Sequence, residues 1–388
     1  MQGDIYRPLG LDIIAKPARR PVLTGSRALA LASVAIICGG SLTTALVQPQ
    51  FRVASVETPA KAPLAVPAQT QLAVQKGPAL PTVQRATAPL AAAPQDAFVA
   101  SGTDLAASYT VADPAAMRQS PSVAHLPEPD LTENSQYGPL PVRAADGRRP
   151  LDVYSMPSSG ALGTRIAIVV GGLGISQTGT QNAIRSLPDA VTLAFSPTGN
   201  SLGRWMQDAR RGGHELLLQA PLEPVGYPDV SPSPNTLTAA DAAAGHFNDL
   251  YASLARMTNY VGVMNYMGAK LTADRAAMNG LLGEIGRRGL LYLDDGSSSR
   301  SLAKDSATLD GVPIAVSDIL LDGSQEESDI RQQLDTLERV ARARGTAIGT
   351  ASAFDVSVAT IAAWINEARG RGIEIVPISA LAYDPERQ

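Results

Sequence analysis

The stretch Arg165-Ile-Ala-Ile-Val-Val-Gly-Gly-Leu-Gly174 is an apolar run that leads directly into glycines. Such a run is typical of a strand that is buried on both faces of a parallel sheet. Two later stretches have the same form, Gln219-Ala-Pro-Leu-Glu-Pro224 and Asn265-Tyr-Met-Gly268. Because the functional sites of α/β domains lie at the carboxyl ends of their parallel strands, we expect any site of this chain at these strand ends.

Strand-like and helix-like segments alternate between residues 161 and 384. The apolar runs, which predict strands, are Ile166–Val170, Val191–Phe195, Glu215–Leu218, Val261–Met264, Leu290–Leu293, Thr346–Ile348 and Glu374–Ile378. The amphipathic stretches, which predict helices, are Thr178–Ser186, Leu202–Arg211, Ala239–Arg256, Ala273–Arg288, Glu326–Arg344 and Val356–Arg371. This alternation predicts an α/β domain of parallel strands joined by crossover helices, arranged either as a barrel or as a doubly wound sheet.

Residues 28–47 contain no charged side chain. Twenty residues at the helical rise span about 30 Å, the hydrocarbon thickness of a bilayer, so this stretch predicts a single transmembrane helix. The basic residues that precede it are Lys16, Arg19, Arg20 and Arg27. They predict a cytoplasmic tail over residues 1–27. A cleaved signal peptide is the alternative, and Gly39-Gly40-Ser41 keeps that alternative open.

Residues 48–160 are rich in proline, alanine, serine and threonine and contain few aromatic side chains. No helical or alternating period persists in them for more than a few residues. Such a segment cannot bury enough apolar surface to offset the entropy of ordering it. We therefore expect a disordered spacer that lets the domain reach away from the membrane.

The composition excludes several classes of function. The net charge of −4 argues against a nucleic-acid partner recognised through its phosphates. The single cysteine, Cys38, excludes an intrachain disulfide. There are only three histidines, His125, His214 and His246, which restricts imidazole-based metal or triad chemistry.

Short motifs between Arg165 and Leu381 occur in a characteristic order. They are Ile166–Gly174, Ala194–Pro197, Gly213–Gln219, Pro221–Pro224, Asn265–Gly268 with Leu271–Arg275, Gly289–Asp294 and Ala347–Gly349. In this order and spacing they resemble the divergent polysaccharide deacetylases, a bacterial branch of the glycoside hydrolase/deacetylase (β/α)-barrel superfamily. The resemblance implies a (β/α) barrel of seven or eight parallel strands over residues 161–384, and a carbohydrate deacetylase or hydrolase.

The metal-binding and catalytic positions that the resemblance implies are occupied by other residues in this chain. Gly171 and Gly172 replace two aspartates at the end of the first strand, Gln219 replaces a histidine of the third-strand motif, Tyr266 replaces the histidine of an Asn-His pair, and Ser352 replaces a late histidine. Carboxylates and imidazoles bind Zn²⁺ and generate hydroxide, whereas glycine has no ligating side chain and an amide is a poor ligand. We therefore expect no metal and no cofactor, and we leave open whether the chain is an enzyme.

Three carboxylates remain as candidates for catalysis: Glu223, Asp294 and Asp295. Each also has a structural interpretation: Glu223 anchors a loop between two prolines, Asp294 ends the strand, and Asp295-Gly296 forms the turn after it. The candidates for substrate binding are Asn265, Gln219 and Tyr266. Asn265 is as consistent with the satisfaction of backbone groups as with a contact to substrate.

Together these features predict a single-pass protein of the inner membrane, with a cytoplasmic N-terminus and a periplasmic domain. The expected partner is a glycan or a protein of the cell envelope, bound without metal-dependent catalysis. The alternative is an active deacetylase or hydrolase of acetylated envelope polysaccharide that uses a rearranged acidic site.

Overall fold

The computed structural model describes residues 117–160 and 163–387. The predicted cytoplasmic tail, the predicted transmembrane helix over residues 28–47 and the spacer as far as residue 116 lie outside the described residues. Within the two described ranges, no helix is both long enough and apolar enough to span a bilayer.

Strands and helices alternate along most of the described chain. The strands are β1 (Thr132–Ser135), β2 (Gly138–Pro141), β3 (Thr164–Leu173), β4 (Thr192–Phe195), β5 (Leu216–Leu222), β6 (Gly262–Met267), β7 (Leu291–Asp294), β8 (Ile314–Val316), β9 (Ile319–Leu320), β10 (Thr346–Ser352) and β11 (Ile373–Ile375). The helices are α1 (Pro150–Tyr154), α2 (Gln177–Ser186), α3 (Leu202–Arg211), α4 (Ala239–Ala244), α5 (Asn248–Leu254), α6 (Arg275–Arg287), α7 (Ala303–Asp310), α8 (Glu327–Arg344) and α9 (Asp355–Gly370).

The main sheet is parallel, with the strand order β8-β7-β6-β5-β4-β3-β10-β9. The last strand, β11, pairs in parallel with the first residues of β3. The segment 314–320 connects the two ends of this order, because β8 pairs with β7 while β9 pairs with β10. The sheet therefore curls into a barrel-like shape. The prediction of parallel strands with crossover helices is confirmed.

Alternate residues of the strands contribute to two different cores. On β3, Ile166 and Ile168 belong to the larger cluster, which also contains Trp364 of α9 and Leu337 of α8. Ala167 and Val169 belong to the smaller cluster, which fills the inside of the curled sheet. Because successive side chains of a strand point to opposite faces, the run that begins at Ile166 must be apolar throughout.

One predicted helix, Ala239–Arg256, is interrupted. Gly245 has a φ of 74°, a left-handed conformation that ends α4, and α5 begins three residues later. Glycine adopts this conformation without the steric clash that a Cβ atom would cause. The helical period continues across the break, which is why the sequence predicts one helix here.

The prediction of a disordered spacer over residues 48–160 is wrong for residues 117–160. These residues form the antiparallel pair β1–β2 and the helix α1. Leu131, Leu151 and Val153 are buried in the smaller cluster, and the Leu151 N–H donates to the Gly289 carbonyl just before β7. The apolar residues are too far apart along the chain to form a period, and they become a core only against the amino ends of the strands.

A buried ion-pair cluster fixes the same segment to the end of the chain. The guanidinium of Arg149 donates to Asp152 and Asp384, with N–O distances of 2.7 and 2.6 Å for the two closest pairs. All three side chains are almost fully buried. Removal of one partner from such a cluster would leave a buried charge uncompensated, so this cluster makes residues 149–154 part of the folded domain.

Candidate functional site

A cavity of about 380 Å³, which we call the strand-end cavity, lies at the carboxyl ends of β3, β5, β6 and β10. The five positions at which the resemblance implies catalytic or metal-binding residues all line it: Gly171, Gly172, Gln219, Tyr266 and Ser352. The parallel sheet brings these positions together because its strands all end at the same edge. Their side chains determine what this cavity can bind.

Gln219 and the two glycines fit one another closely. The Gln219 side chain is only 6% exposed, and its Oε1 accepts a hydrogen bond from the Gly172 N–H at 2.9 Å. A Cβ atom at position 171 would lie 2.9 Å from Gln219 Nε2, which is closer than a carbon and a nitrogen can approach without displacement. Nε2 itself has no hydrogen-bond acceptor among the described residues, and Gln219 belongs to the lining of the strand-end cavity.

Asn265 positions the cavity wall and does not line it. Its Oδ1 accepts the Asp295 N–H and its Nδ2 donates to the Met267 carbonyl, both at 2.8 Å. Both polar atoms of this buried amide are thus satisfied by backbone groups, one at the end of its own strand β6 and one just after β7. Met267 has a φ of 59°, and the hydrogen bond to its carbonyl stabilises this left-handed turn.

Asp295 is the one carboxylate among the residues that line the strand-end cavity. Its Oδ1 accepts the Ser297 N–H at 2.9 Å, and its backbone N–H is held by Asn265. The second carboxylate oxygen has no partner among the described residues. Asp295 can therefore accept a hydrogen bond from a ligand.

Glu223 does not line the strand-end cavity. Its Oε2 accepts the Ala239 N–H at 2.7 Å and its Oε1 accepts from Lys270 Nζ at 2.6 Å. Its carbonyl also accepts the N–H groups of Lys270 and Leu271. Glu223 thus connects the loop after β5 to the start of α4 and to the loop after β6.

Asp294, the last residue of β7, does not line the strand-end cavity. Its oxygens accept the Gly296 N–H and the Ser301 O–H. Burial raises the pKa of this carboxyl group above its ordinary value, while the two hydrogen bonds act in the opposite direction. The structure therefore does not bring Glu223, Asp294 and Asp295 together in the strand-end cavity.

Ser352 is supported from behind by a carboxylate. Asp322 Oδ2 accepts the Ser352 N–H at 2.7 Å and the Ser357 O–H at 2.8 Å, and so joins the end of β10 to the first turn of α9. Burial raises the pKa of Asp322, and these two hydrogen bonds lower it in part. Asp322 holds the backbone around Ser352 in place.

The remaining wall of the strand-end cavity is mostly apolar, and the polar residues in it are Ser176, Ser297 and Thr350. Met264 forms buried wall on the inner face of β6, and the exposed side chains of Ile175, Leu320 and Phe354 surround the opening. The sequence analysis missed these four residues. For Met264 the strand alternation was a usable signal, but the other three lie on or next to loops, where no period marks an orientation.

The side chains present do not fit a divalent metal ion. The lining of the strand-end cavity includes one carboxylate and no imidazole. Across residues 117–160 and 163–387, no group of three or more histidine, cysteine, aspartate or glutamate side chains could hold a metal ion. His214 is buried elsewhere, with its ring nitrogens 2.9 and 3.1 Å from the carbonyl oxygens of Val191 and Ile184.

Comparison with protein families gives a match over residues 168–382 to the model of the divergent polysaccharide deacetylases. The match includes β4 to β10 and every residue that lines the strand-end cavity. The chain belongs to the divergent polysaccharide deacetylase family. The resemblance inferred from the motifs is thereby confirmed.

Two bacterial relatives and one solved structure illustrate the similarity. The chain is 26% identical over 230 residues to the uncharacterised protein YibQ of Escherichia coli K12, covering 59% of this chain and 70% of that protein. It is 26% identical over 185 residues to an uncharacterised protein of Haemophilus influenzae, covering 48% of this chain and 65% of that protein. The crystal structure of the uncharacterised protein ATU2773 from Agrobacterium tumefaciens C58 is 57% identical, with a TM-score of 0.61, and covers 63% of this chain and 99% of that chain.

Proposed function

We propose that the domain binds a glycan of the cell envelope in the strand-end cavity and does not hydrolyse it with a metal ion. One observation carries this proposal. The family positions meet in one cavity, but they are occupied by Gly171, Gly172, Gln219, Tyr266 and Ser352, which leaves one carboxylate and no imidazole. A cavity is thus present at these positions, while the side chains that would hold a metal are missing from it.

The polar and aromatic groups of the cavity suit a sugar. Gln219 Nε2 can donate to a ligand oxygen, and Asp295 can accept from a hydroxyl group. The Tyr266 ring is 41% exposed at the opening and offers an apolar face with a polar tip. A few placed polar groups within an otherwise apolar cavity are the usual composition of a small-molecule site.

The proposed location is the periplasmic side of the inner membrane. It rests on the uncharged residues 28–47 and the basic residues that precede them. Fusion of a periplasmic reporter enzyme after residue 388 tests it. Reporter activity supports the proposed topology, and activity of only a cytoplasmic reporter contradicts it.

The binding proposal is tested by calorimetric titration of the purified full-length protein with N-acetylglucosamine oligomers and peptidoglycan fragments. We expect saturable binding and no release of acetate, with or without added Zn²⁺. Tyr266→Ala should weaken binding at least about tenfold, equivalent to about 1.4 kcal/mol. Tyr383→Ala is the matched control, because Tyr383 is exposed to a similar extent, at 43%, and does not line the strand-end cavity.

Asp295 supports a second candidate function, an active deacetylase or hydrolase with a rearranged acidic site. A lone carboxylate in a cavity can act as a general base towards water. This candidate predicts acetate release that Asp295→Asn abolishes without loss of folding. Absence of acetate release from several acetylated glycans would contradict it and leave glycan binding as the function.

A further inference from the structure

The strand-end cavity places one amide hydrogen-bond donor beside apolar side chains. The Gln219 residue is only 6% exposed. Its Nε2 has no hydrogen-bond acceptor among the described residues. Met264 lies beside it within the cavity, and Ile175, Leu320 and Phe354 extend the apolar surface outward from there. A ligand that enters the cavity with an acceptor atom can complete the hydrogen bonding of this amide.

The orientation of the Gln219 amide is set by the protein. Because the Gly172 N–H must donate, the atom that it contacts is the carbonyl oxygen, and the NH₂ group is the one left for a ligand. The ligand atom that meets it is therefore an acceptor oxygen. Asp295 lines the same cavity, so its negative charge disfavours a ligand carboxylate and favours a neutral carbonyl.

The size of the cavity indicates what is attached to that carbonyl. A volume of about 380 Å³ would hold about a dozen water molecules at about 30 Å³ each. An acetyl group has three heavy atoms and would leave most of this space to water against Met264, Ile175 and Leu320. Burial of hydrocarbon on these side chains is the more favourable way to fill it.

We infer that the strand-end cavity binds an acyl group longer than acetyl, joined to its carrier by an amide or an ester. Gln219 Nε2 donates to the acyl carbonyl oxygen. The hydrocarbon chain lies on Met264 and leaves towards Ile175, Leu320 and Phe354. This inference rests on the proposed binding function of the cavity, and it adds the chemical class of the group that enters.

The test is a calorimetric series on the purified full-length protein with N-acetyl-, N-butyryl- and N-hexanoylglucosamine. Each methylene buried should increase the affinity about fourfold, so the butyryl compound should bind about fifteenfold more tightly than the acetyl compound. The hexanoyl compound should bind more tightly again. N-hexanoylethanolamine, which has the same acyl amide without a sugar, is measured in parallel.

Substitutions at Ile175 and Gln219 test where the hydrocarbon chain and the acyl carbonyl group bind. Ile175→Ser changes a side chain that is 61% exposed at the opening, so the fold should tolerate it, and it should reduce the gain from butyryl to hexanoyl. Leu309→Ser is the matched control, because Leu309 is 77% exposed on α7 and does not line the strand-end cavity. Gln219→Leu should weaken all three glucosamine compounds by a similar factor, since each has the carbonyl.

The outcomes separate this inference from the proposed function. A rising series that Ile175→Ser flattens supports the acyl site. Equal affinities across the three sugars overturn the acyl inference and leave glycan binding in place. Equal binding of N-hexanoylethanolamine and N-hexanoylglucosamine supports the acyl site and contradicts glycan recognition. Binding of none of the four compounds overturns both.

Discussion

Gln219 fills the space that a side chain at position 171 would need. A Cβ atom built on Gly171 would lie 2.9 Å from Gln219 Nε2, and Gln219 Oε1 accepts the N–H of the next residue, Gly172. The identity of the residue at 171 is therefore tied to the identity of the residue at 219. The aspartate that the family resemblance implies at 171 would have to displace the Gln219 side chain, so the two differences from the family pattern are physically coupled.

This coupling is measurable as a difference in stability. Gly171→Ala should lower the free energy of unfolding by about 1–3 kcal/mol, because the added methyl group displaces Gln219. Gln219→Ala should cost about 1 kcal/mol, since the Gly172 N–H loses its acceptor. The double variant should be more stable than the sum of the two effects predicts, by about 1 kcal/mol, in urea unfolding of the full-length protein.

Gly283→Ala is the control for the effect of replacing a glycine. Gly283 lies in the middle of α6 and no atom lies within 4 Å of the position of its Cβ. Gly283→Ala should raise the free energy of unfolding by up to about 1 kcal/mol, because alanine has a higher helix propensity than glycine. Strict additivity of Gly171→Ala and Gln219→Ala would show that the two residues are not coupled.

Substitutions that introduce metal-ligating side chains into the strand-end cavity should create a Zn²⁺ site. The unsubstituted protein should give no calorimetric signal that saturates at one equivalent of Zn²⁺. The triple variant Gly172→Asp, Gln219→His, Tyr266→His supplies a carboxylate and two imidazoles at positions that line one cavity, and it should bind Zn²⁺ stoichiometrically. Gly172 has a φ of 78°, a conformation that aspartate tolerates better than most residues.

The single variant Tyr266→His is the control for this metal experiment, since one imidazole cannot hold the ion tightly. Replacement of Zn²⁺ by Co²⁺ gives an independent reading, because the visible absorption of Co²⁺ changes when protein ligands replace its water ligands. Tight binding of one equivalent by the unsubstituted protein would contradict the conclusion that its cavity lacks metal ligands.

Glu223 and Asp295 should respond differently to substitution. Glu223→Ala should lower the free energy of unfolding by about 1–3 kcal/mol, because the Ala239 N–H loses its acceptor. Glu223→Gln should cost less, since the amide oxygen still accepts and the ion pair to the exposed Lys270 contributes little. Neither change should alter the affinity for glycan by more than about twofold, equivalent to about 0.4 kcal/mol.

Asp295→Asn should show the reverse pattern. Asp295 is only partly buried, and an amide oxygen can still accept the Ser297 N–H, so stability should change by less than about 0.5 kcal/mol. Glycan affinity should fall, because the substituted group no longer offers a free carboxylate oxygen. Unfolding curves and calorimetry of the same samples separate the two effects. If glycan binding were lost in Glu223→Gln and kept in Asp295→Asn, the assignment of the binding site to the strand-end cavity would be wrong.

Much of the fold could be predicted because strong periods mark its long elements. The predicted helices Leu202–Arg211 and Glu326–Arg344 agree with α3 and α8 to within one residue. In contrast, β8 and β9 have only three and two residues, which is too short for any pattern. They are stabilised by pairing with β7 and β10, which is a tertiary effect that the local sequence does not encode.

The candidate site could be predicted in part for a similar reason. Parallel strands end at one edge, so Gly172, Gln219 and Tyr266 had to lie near one another whatever the lengths of the loops. Whether a side chain faces the cavity depends on its hydrogen bonds. Asn265 turns to backbone groups, while Asp295 remains in the lining, and the sequence did not distinguish them.

Asp322 should make stability depend on pH in a definite direction. Burial raises its pKa in the folded protein above the ordinary value of 3.8, so the folded state keeps its proton to higher pH than the unfolded state does. Above pH 3.8 the folded state therefore binds more protons, and the free energy of unfolding falls as the pH rises through the folded pKa. Asp322→Asn cannot ionise, and its amide oxygen can accept from Ser352 and Ser357.

The stability of Asp322→Asn relative to the unsubstituted protein should therefore increase as the pH is raised from about 3.8, and level off once the folded carboxyl group is ionised. Urea unfolding of both proteins over a series of pH values measures this difference, and groups that titrate in both proteins cancel in it. A difference that stays constant with pH would show that Asp322 has the same pKa in the folded and unfolded states. A difference that changes in the opposite direction would show that its hydrogen bonds outweigh its burial.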